Sequence, residues 1–108
     1  MFSNKKLTDR NNVHKGICTE LHDLYVRKNA DYGNSFATAR KEIPFYTLGK
    51  LHDKFSRYKN LCLNGGDTKV KDETIADTLL DLANYCIMEL TEMVVDEAME
   101  ACDEQRRD

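Results

Sequence analysis

Proline and glycine are nearly absent from this 108-residue chain, with one proline and five glycines. That argues against a sandwich or barrel of many short strands, which needs a breaker at every turn. No apolar run approaches the ~18 residues of a membrane span, and MFSNKKLTDRNN at the start has no apolar stretch of the kind a secretory leader carries. A cytoplasmic protein with no membrane contact is therefore expected. There is no C-x-x-C pair: Cys18, Cys62, Cys86 and Cys102 are spaced 44, 24 and 16 apart, without a histidine at metal-ligand distance in sequence. This pattern does not call for zinc. Cys18, Cys62 and Cys86 sit on or beside apolar stripes, which predicts reduced, buried thiols. A phosphate-binding glycine loop is also missing, since NGG at 64–66 is not GxxxxGK[ST]. His14, His22 and His52 share no spacing with a serine or cysteine that they could activate.

Basic charge is scarce in one part of the chain only. Residues 1–71 carry 14 Lys and Arg against 7 Asp and Glu, whereas residues 72–108 carry 2 against 12. Such segregation predicts a basic part of the fold packed near an acidic one. Nucleic acid is not an expected partner, because the acidic part would repel the backbone that the basic part attracts.

What remains is helical periodicity. Val13, Ile17, Leu21, Leu24 and Tyr25 repeat at helix spacing over NVHKGICTELHDLYVRKN, and that helix is expected to end near ADYGNS. Asn29, Gly33 and Asn34 tolerate turn conformations, and Ser35 is placed to cap a short segment, FATARKE, which Ile43-Pro44 stops. A second main helix starts between Pro44 and Thr47, with Leu48, Leu51, Phe55, Tyr58 and Cys62 on its stripe, and ends at Asn64–Gly66. Asp72 is expected to cap a third main helix carrying Ile75, Leu79, Leu82, Cys86, Leu90, Met93 and Val94 and running past residue 100. The expected fold is all-α: a small bundle of three main helices plus a short helical segment, one domain over residues 1–108, mobile at 1–8 and 100–108. An apolar face and a third helix longer than a 12.5 kDa globule needs predict a homo-oligomer.

Three groups of side chains bear on chemistry. Glu73, Asp77 and Asp81 stand at i, i+4 and i+8, where like charges cost a helix roughly 0.2–0.5 kcal/mol per pair. Glu73 alone would suit the dipole of a first turn. Oxygen ligands on a rigid helix are what Mg²⁺ asks for, and Glu20 with Asp23 on the first helix is a second acidic source. Simple solvation of all five carboxylates explains the pattern as well. Asp81, between Leu80 and Leu82, needs a partner. Lys50, Lys54 and Arg57 form a basic column that supplies ion pairs to it or faces a phosphate. Finally, Asp31, Tyr32 and Asn34 in KNADYGNS place a carboxylate, a phenol and turn amides together, suited to gripping a base or sugar, though a plain turn accounts for Gly33 and Asn34.

KNADYGNS, LHDKFSRYKNL and DETIADTLLDLANYCIMEL, in that order, resemble the nucleotide modification associated domain type 1 family, found largely in phages and prophages. The resemblance covers about residues 13 to 92, with matching positions at Lys28, Asn29, Asp31, Tyr32, Gly33, Asn34, Asp53, Lys54, Arg57, Glu73, Asp77, Asp81, Leu82, Ala83 and Tyr85. It implies a nucleotide or nucleotide-derived small molecule as partner, and host cytoplasm if phage-encoded. ETIADTLLDLANY is also similar to the last core helix of all-α MazG-like nucleoside triphosphate pyrophosphohydrolases. By that likeness Glu73 and Asp77 would be a late Mg²⁺ pair and Glu20 with Asp23 an earlier cluster, of two carboxylates where the pattern has three. Three functions stay open from sequence: an Mg²⁺-dependent pyrophosphohydrolase-like enzyme, in which Glu20, Asp23, Glu73, Asp77 and Asp81 hold the ion while Lys54 and Arg57 neutralise the leaving pyrophosphate; a binder that sequesters a nucleotide or a nucleotide-derived defence signal; and a structural helical oligomer. No catalytic residue is assigned.

Overall fold

The computed structural model describes residues 9–32, 34–64 and 68–105, the side chains of 31, 32 and 68–73 excepted. Its order is α1 (Arg10–Tyr32), α2 (Ser35–Glu42), α3 (Tyr46–Leu63) and α4 (Thr68–Gln105), with no strand among the described residues. The fold is all-α with a long C-terminal helix. No helix among these residues is long and apolar enough to cross a membrane. The chain divides into two compact units, Met1–Ser35 and Phe36–Asp108.

In the first unit α1 begins at a cap that periodicity did not single out. Asp9 Oδ1 accepts the backbone N–H of Asn11 at 3.0 Å and of Asn12 at 3.4 Å, satisfying amides that have no partner inside the helix. Its stripe is as expected, with Leu21 the one buried apolar side chain among the described residues.

In the second unit, the breaks fall where the sequence puts them. The Ile43-Pro44 pair ends α2, and α3 starts at Tyr46 after Phe45, whose φ of 58° is left-handed. At the other end of α3, Asn64 is the C-cap and its N–H donates to the Asn60 carbonyl at 2.9 Å. The start of α4 differs from expectation. The helix begins at Thr68, so Asp72 is not its cap and Glu73 lies beyond the first turn. The segment DTKVK contains no Gly or Pro to keep it out of a helix. At 38 residues α4 is roughly 57 Å long at 1.5 Å per residue, and it takes in 100–105, which were expected to be mobile; residues 1–8 and 106–108 lie outside the described ones.

The faces that pack take in only part of the apolar stripes, with Leu51, Tyr58, Ile75 and Leu82 half-buried. α3 and α4 run antiparallel, because Thr47 pairs with Glu89 and Lys54, one register further along α3, pairs back with Asp81. Among the described residues of α3 and α4, two threonines, Thr47 and Thr78, are buried and no apolar side chain is. Leu48 and Phe55 of the expected α3 stripe are exposed, as are Leu79, Cys86, Leu90, Met93 and Val94 of the α4 stripe. Cys18, Cys62 and Cys86, expected to be buried, are exposed, as is Cys102. The small cluster that joins three helices is aromatic. Phe36 of α2 lies 6.0 Å from Tyr46 of α3 and 6.1 Å from Tyr85 of α4, centroid to centroid, in edge-on and tilted arrangements that aromatic pairs favour.

Candidate functional site

The most developed polar arrangement in the second unit is centred on Arg40, in the last turn of α2. Its guanidinium donates from Nε to Glu89 Oε1 at 3.0 Å and from Nη2 to Glu89 Oε2 at 2.7 Å, a bidentate fork. Nη1 donates to Asp96 Oδ2 at 2.8 Å. Glu89 and Asp96 lie seven residues apart, two turns along one face of α4, so a single arginine reaches both. The Thr47 hydroxyl, in the first turn of α3, donates to Glu89 Oε1 at 2.7 Å. Three helices are thus tied by one half-buried network. Hydrogen bonds from Arg40, and then from Thr47, hold the Glu89 carboxyl below the ordinary glutamate range against the opposing effect of burial. The Arg40 guanidinium is correspondingly raised, chiefly by Glu89 and then by Asp96, and stays charged.

A pocket of about 400 Å³ opens beside this network, lined by Arg40, Phe45, Tyr46, Thr47, Leu48, Leu51 and Glu89. One wall is aromatic and aliphatic; the other offers a carboxylate, a guanidinium and a hydroxyl. Pockets of this size and mixture suit small ligands. The Lys50 ammonium rests 5.3 Å from the centre of the Tyr46 ring, a cation–π contact that leaves Lys50 at the same end of α3. Phe45 at the rim is 80 % exposed while its backbone is left-handed, a conformation that costs a bulky residue about 1 kcal/mol or more. An exposed ring gains nothing in folding that would offset this cost. We expect Phe45→Gly to stabilise the fold by about 0.5–1 kcal/mol in urea denaturation; a loss of stability would mean that the ring packs more than its exposure indicates.

The residues singled out from sequence are distributed as follows. Lys54 Nζ lies 3.0 Å from Asp81 Oδ2, so Asp81 has the partner its position called for. Lys50 does not join that pair, and Arg57 is exposed. Asp77 is exposed; Glu73 has its backbone in α4 and its side chain outside the described residues. Glu20, Asp23 and Lys28 are exposed on α1, and Asn34 is exposed between α1 and α2, while the side chains of Asp31 and Tyr32 lie outside the described residues. Among the described residues no three His, Cys, Asp or Glu side chains gather as a metal site would need.

Arg40, Thr47, Glu89 and Asp96 were not singled out by sequence reading. A signal for Glu89 existed: it stands between Met88 and Leu90, as Asp81 stands between Leu80 and Leu82, and a carboxylate so placed needs a partner. For Arg40 there was none, because its partners are 49 and 56 residues away.

No curated protein and no solved structure matches the chain. A family model described as Nucleotide modification associated domain 1 matches residues 28–93, well over half of the sequence. That span takes in the whole pocket lining and the Lys54–Asp81 pair, and leaves out Glu20, Asp23 and Asp96. The chain is accordingly a member of the Nucleotide modification associated domain 1 family.

Proposed function

We propose that this protein binds a nucleotide in the pocket between Arg40, Glu89 and the first turns of α3. The observation that carries the reading is that the one pocket described above falls entirely within the segment that defines the family. A base fits against Tyr46, Leu48 and Leu51, with the Glu89 carboxylate as acceptor and the unused N–H groups of Arg40 as donors toward its polar edge. Lys50, at the same end of the helix, answers a phosphate.

Binding without turnover is favoured over hydrolysis by the Lys54–Asp81 ion pair. Asp81 carries its own counter-ion, which removes one carboxylate from the Glu73, Asp77, Asp81 column as an Mg²⁺ ligand. The hydrolytic alternative keeps Asp77, which is exposed, and Mg²⁺ needs only one or two protein carboxylates when water and phosphate oxygens complete its shell. In that case Asp77 would recruit the ion, whose chemistry is to lower the pKa of an attacking water.

The test is chromatography of a nucleotide panel, deoxynucleoside triphosphates included, after incubation with purified protein and Mg²⁺, with filtrate and denatured protein fraction both analysed. Intact nucleotide released from the protein fraction is the expected result, diminished in Glu89→Ala and unaffected by EDTA. Monophosphate and pyrophosphate in the filtrate, lost in Asp77→Asn, would establish the hydrolase instead. Neither signal across the panel would leave a structural role for the helices and overturn the proposal.

A further inference from the structure

Between α2 and α3 the chain keeps an aromatic residue where the backbone asks for a small one. The Tyr46 N–H donates to the Ile43 carbonyl at 3.2 Å and closes a turn, with Pro44 in its second position and Phe45 in its third. At φ 58° and ψ 28°, Phe45 takes a conformation that glycine or asparagine ordinarily supplies after the proline of a turn. It is the one non-glycine residue with positive φ among the described residues. Its backbone is pinned on the other side as well, because the Phe45 carbonyl accepts the Gly49 N–H at 3.0 Å. Phe45 is therefore anchored at the rim of the pocket, next to Tyr46, Thr47 and Leu48 of the lining, and its ring enters neither pair of the Phe36 cluster.

The polar wall has little left with which to hold a base. Glu89 already accepts three hydrogen bonds, from Arg40 Nε, Arg40 Nη2 and Thr47, of the roughly four that a carboxylate takes. Every nitrogen of Arg40 already donates, to Glu89 or to Asp96. What remains can orient a polar edge, and most of the attraction falls to the apolar wall. There the Tyr46 ring is engaged, edge-on with Phe36 and under the Lys50 ammonium, whereas Phe45 is 80 % exposed. We infer that Phe45 stacks on the base of the bound nucleotide and closes the outer side of its site, so that the pocket takes ligands with a flat heteroaromatic ring. This rests on the nucleotide reading given above. In folding, the left-handed turn is only a cost. In binding, it holds the ring apart from the aromatic cluster and at the pocket, so less has to be ordered when the ligand arrives.

Equilibrium dialysis of the full chain against the deoxynucleoside triphosphates and the matching monophosphates tests this, beside urea denaturation of the same proteins. Loss of an aromatic stack on a base weakens binding by about five- to a hundredfold. Phe45→Gly is accordingly expected to raise the dissociation constant of the nucleotides that the native chain retains by about tenfold or more, while stabilising the fold. A ring with a merely structural role would not separate the two readouts in that way. Phe45→Leu, which keeps apolar bulk without a flat face, should also weaken binding, and Phe45→Trp should preserve it. Affinity unchanged in Phe45→Gly or Phe45→Leu, with Glu89→Ala still weakening it, would overturn the inference and leave the pocket as the nucleotide site. Weaker binding together with lower stability in Phe45→Gly would place the ring in the fold and overturn it too. A native chain that retains no nucleotide would instead remove the pocket reading itself, and this inference with it.

Discussion

Arg40→Ala lowers the stability of the second unit by about 2–3 kcal/mol, a fall in midpoint on the order of 10 °C for a chain of this size. The substitution removes three charge-assisted hydrogen bonds at once and leaves the Glu89 and Asp96 carboxylates without their counter-ion. The partners are only partly buried, with side-chain exposures of 28 % and 36 %, so the cost is below the 3–5 kcal/mol or so of breaking a fully buried pair. Arg40→Lys should recover less than half of the loss, because an ammonium cannot make the bidentate fork to Glu89 while also reaching Asp96. Thermal melts at one fixed protein concentration measure all three proteins, the concentration being held because association also raises apparent stability. A loss below about 0.5 kcal/mol would reduce the network to an ordinary surface pair.

The same network sets a pH dependence. The folded-state pKa of Glu89 is depressed, so its contribution is fully present above the unfolded value near ~4.3 and is lost as pH falls through the lower folded value. Arg40 stays charged across this range and adds no slope. The stability difference between the native sequence and Glu89→Gln should therefore be constant from pH 7 to about 5 and shrink below about 4.

Thr78→Asp is the second large effect, a loss of about 3 kcal/mol or more. Thr78 is the most buried of the described side chains at 2 % exposure, and a carboxylate there would have neither water nor a basic neighbour on α4. Thr78→Val, in contrast, should change stability by less than about 1 kcal/mol. The Thr78 hydroxyl donates to the Thr74 carbonyl of its own helix at 2.8 Å, a bond that a mid-helix threonine makes locally and that contributes little to holding helices together. Chemical denaturation of the pair separates space from polarity: if both variants fall equally, the hydroxyl matters and the burial argument is wrong.

How far the sequence could be read depends on the range of the interaction. Helix existence and breaks were legible because they are local: proline at 44 and the asparagine and glycines at 64–66 leave few alternatives. The start of α4 was misplaced because Asp72 looks like a cap and nothing nearby reveals that Thr68 opens the helix instead. Asp81 was recognised as needing a partner, and of the three bases offered the structure pairs it with Lys54. The pocket was not foreseen at all, since it is built from residues up to 49 positions apart that adjoin only when α2 and α3 both meet α4.

By itself, then, the sequence determined an all-α chain, the positions of its breaks, the segregation of acid onto the last helix, and membership of a nucleotide-associated family. Which faces meet was decided only by the tertiary structure. Periodicity tells which residues share a side of a helix, but not which side turns inward. In α3 and α4 the packed sides are those where Arg40 of α2, Thr47 and Lys54 find carboxylates; Leu51, Tyr58, Ile75 and Leu82 share them half-buried, while Leu48, Phe55, Leu79, Leu90 and Met93 stay exposed. A hydrogen-bonded ion network forms only between one pair of faces, at fixed distances and angles, whereas apolar surface can be covered by any apolar partner, including another copy of the chain.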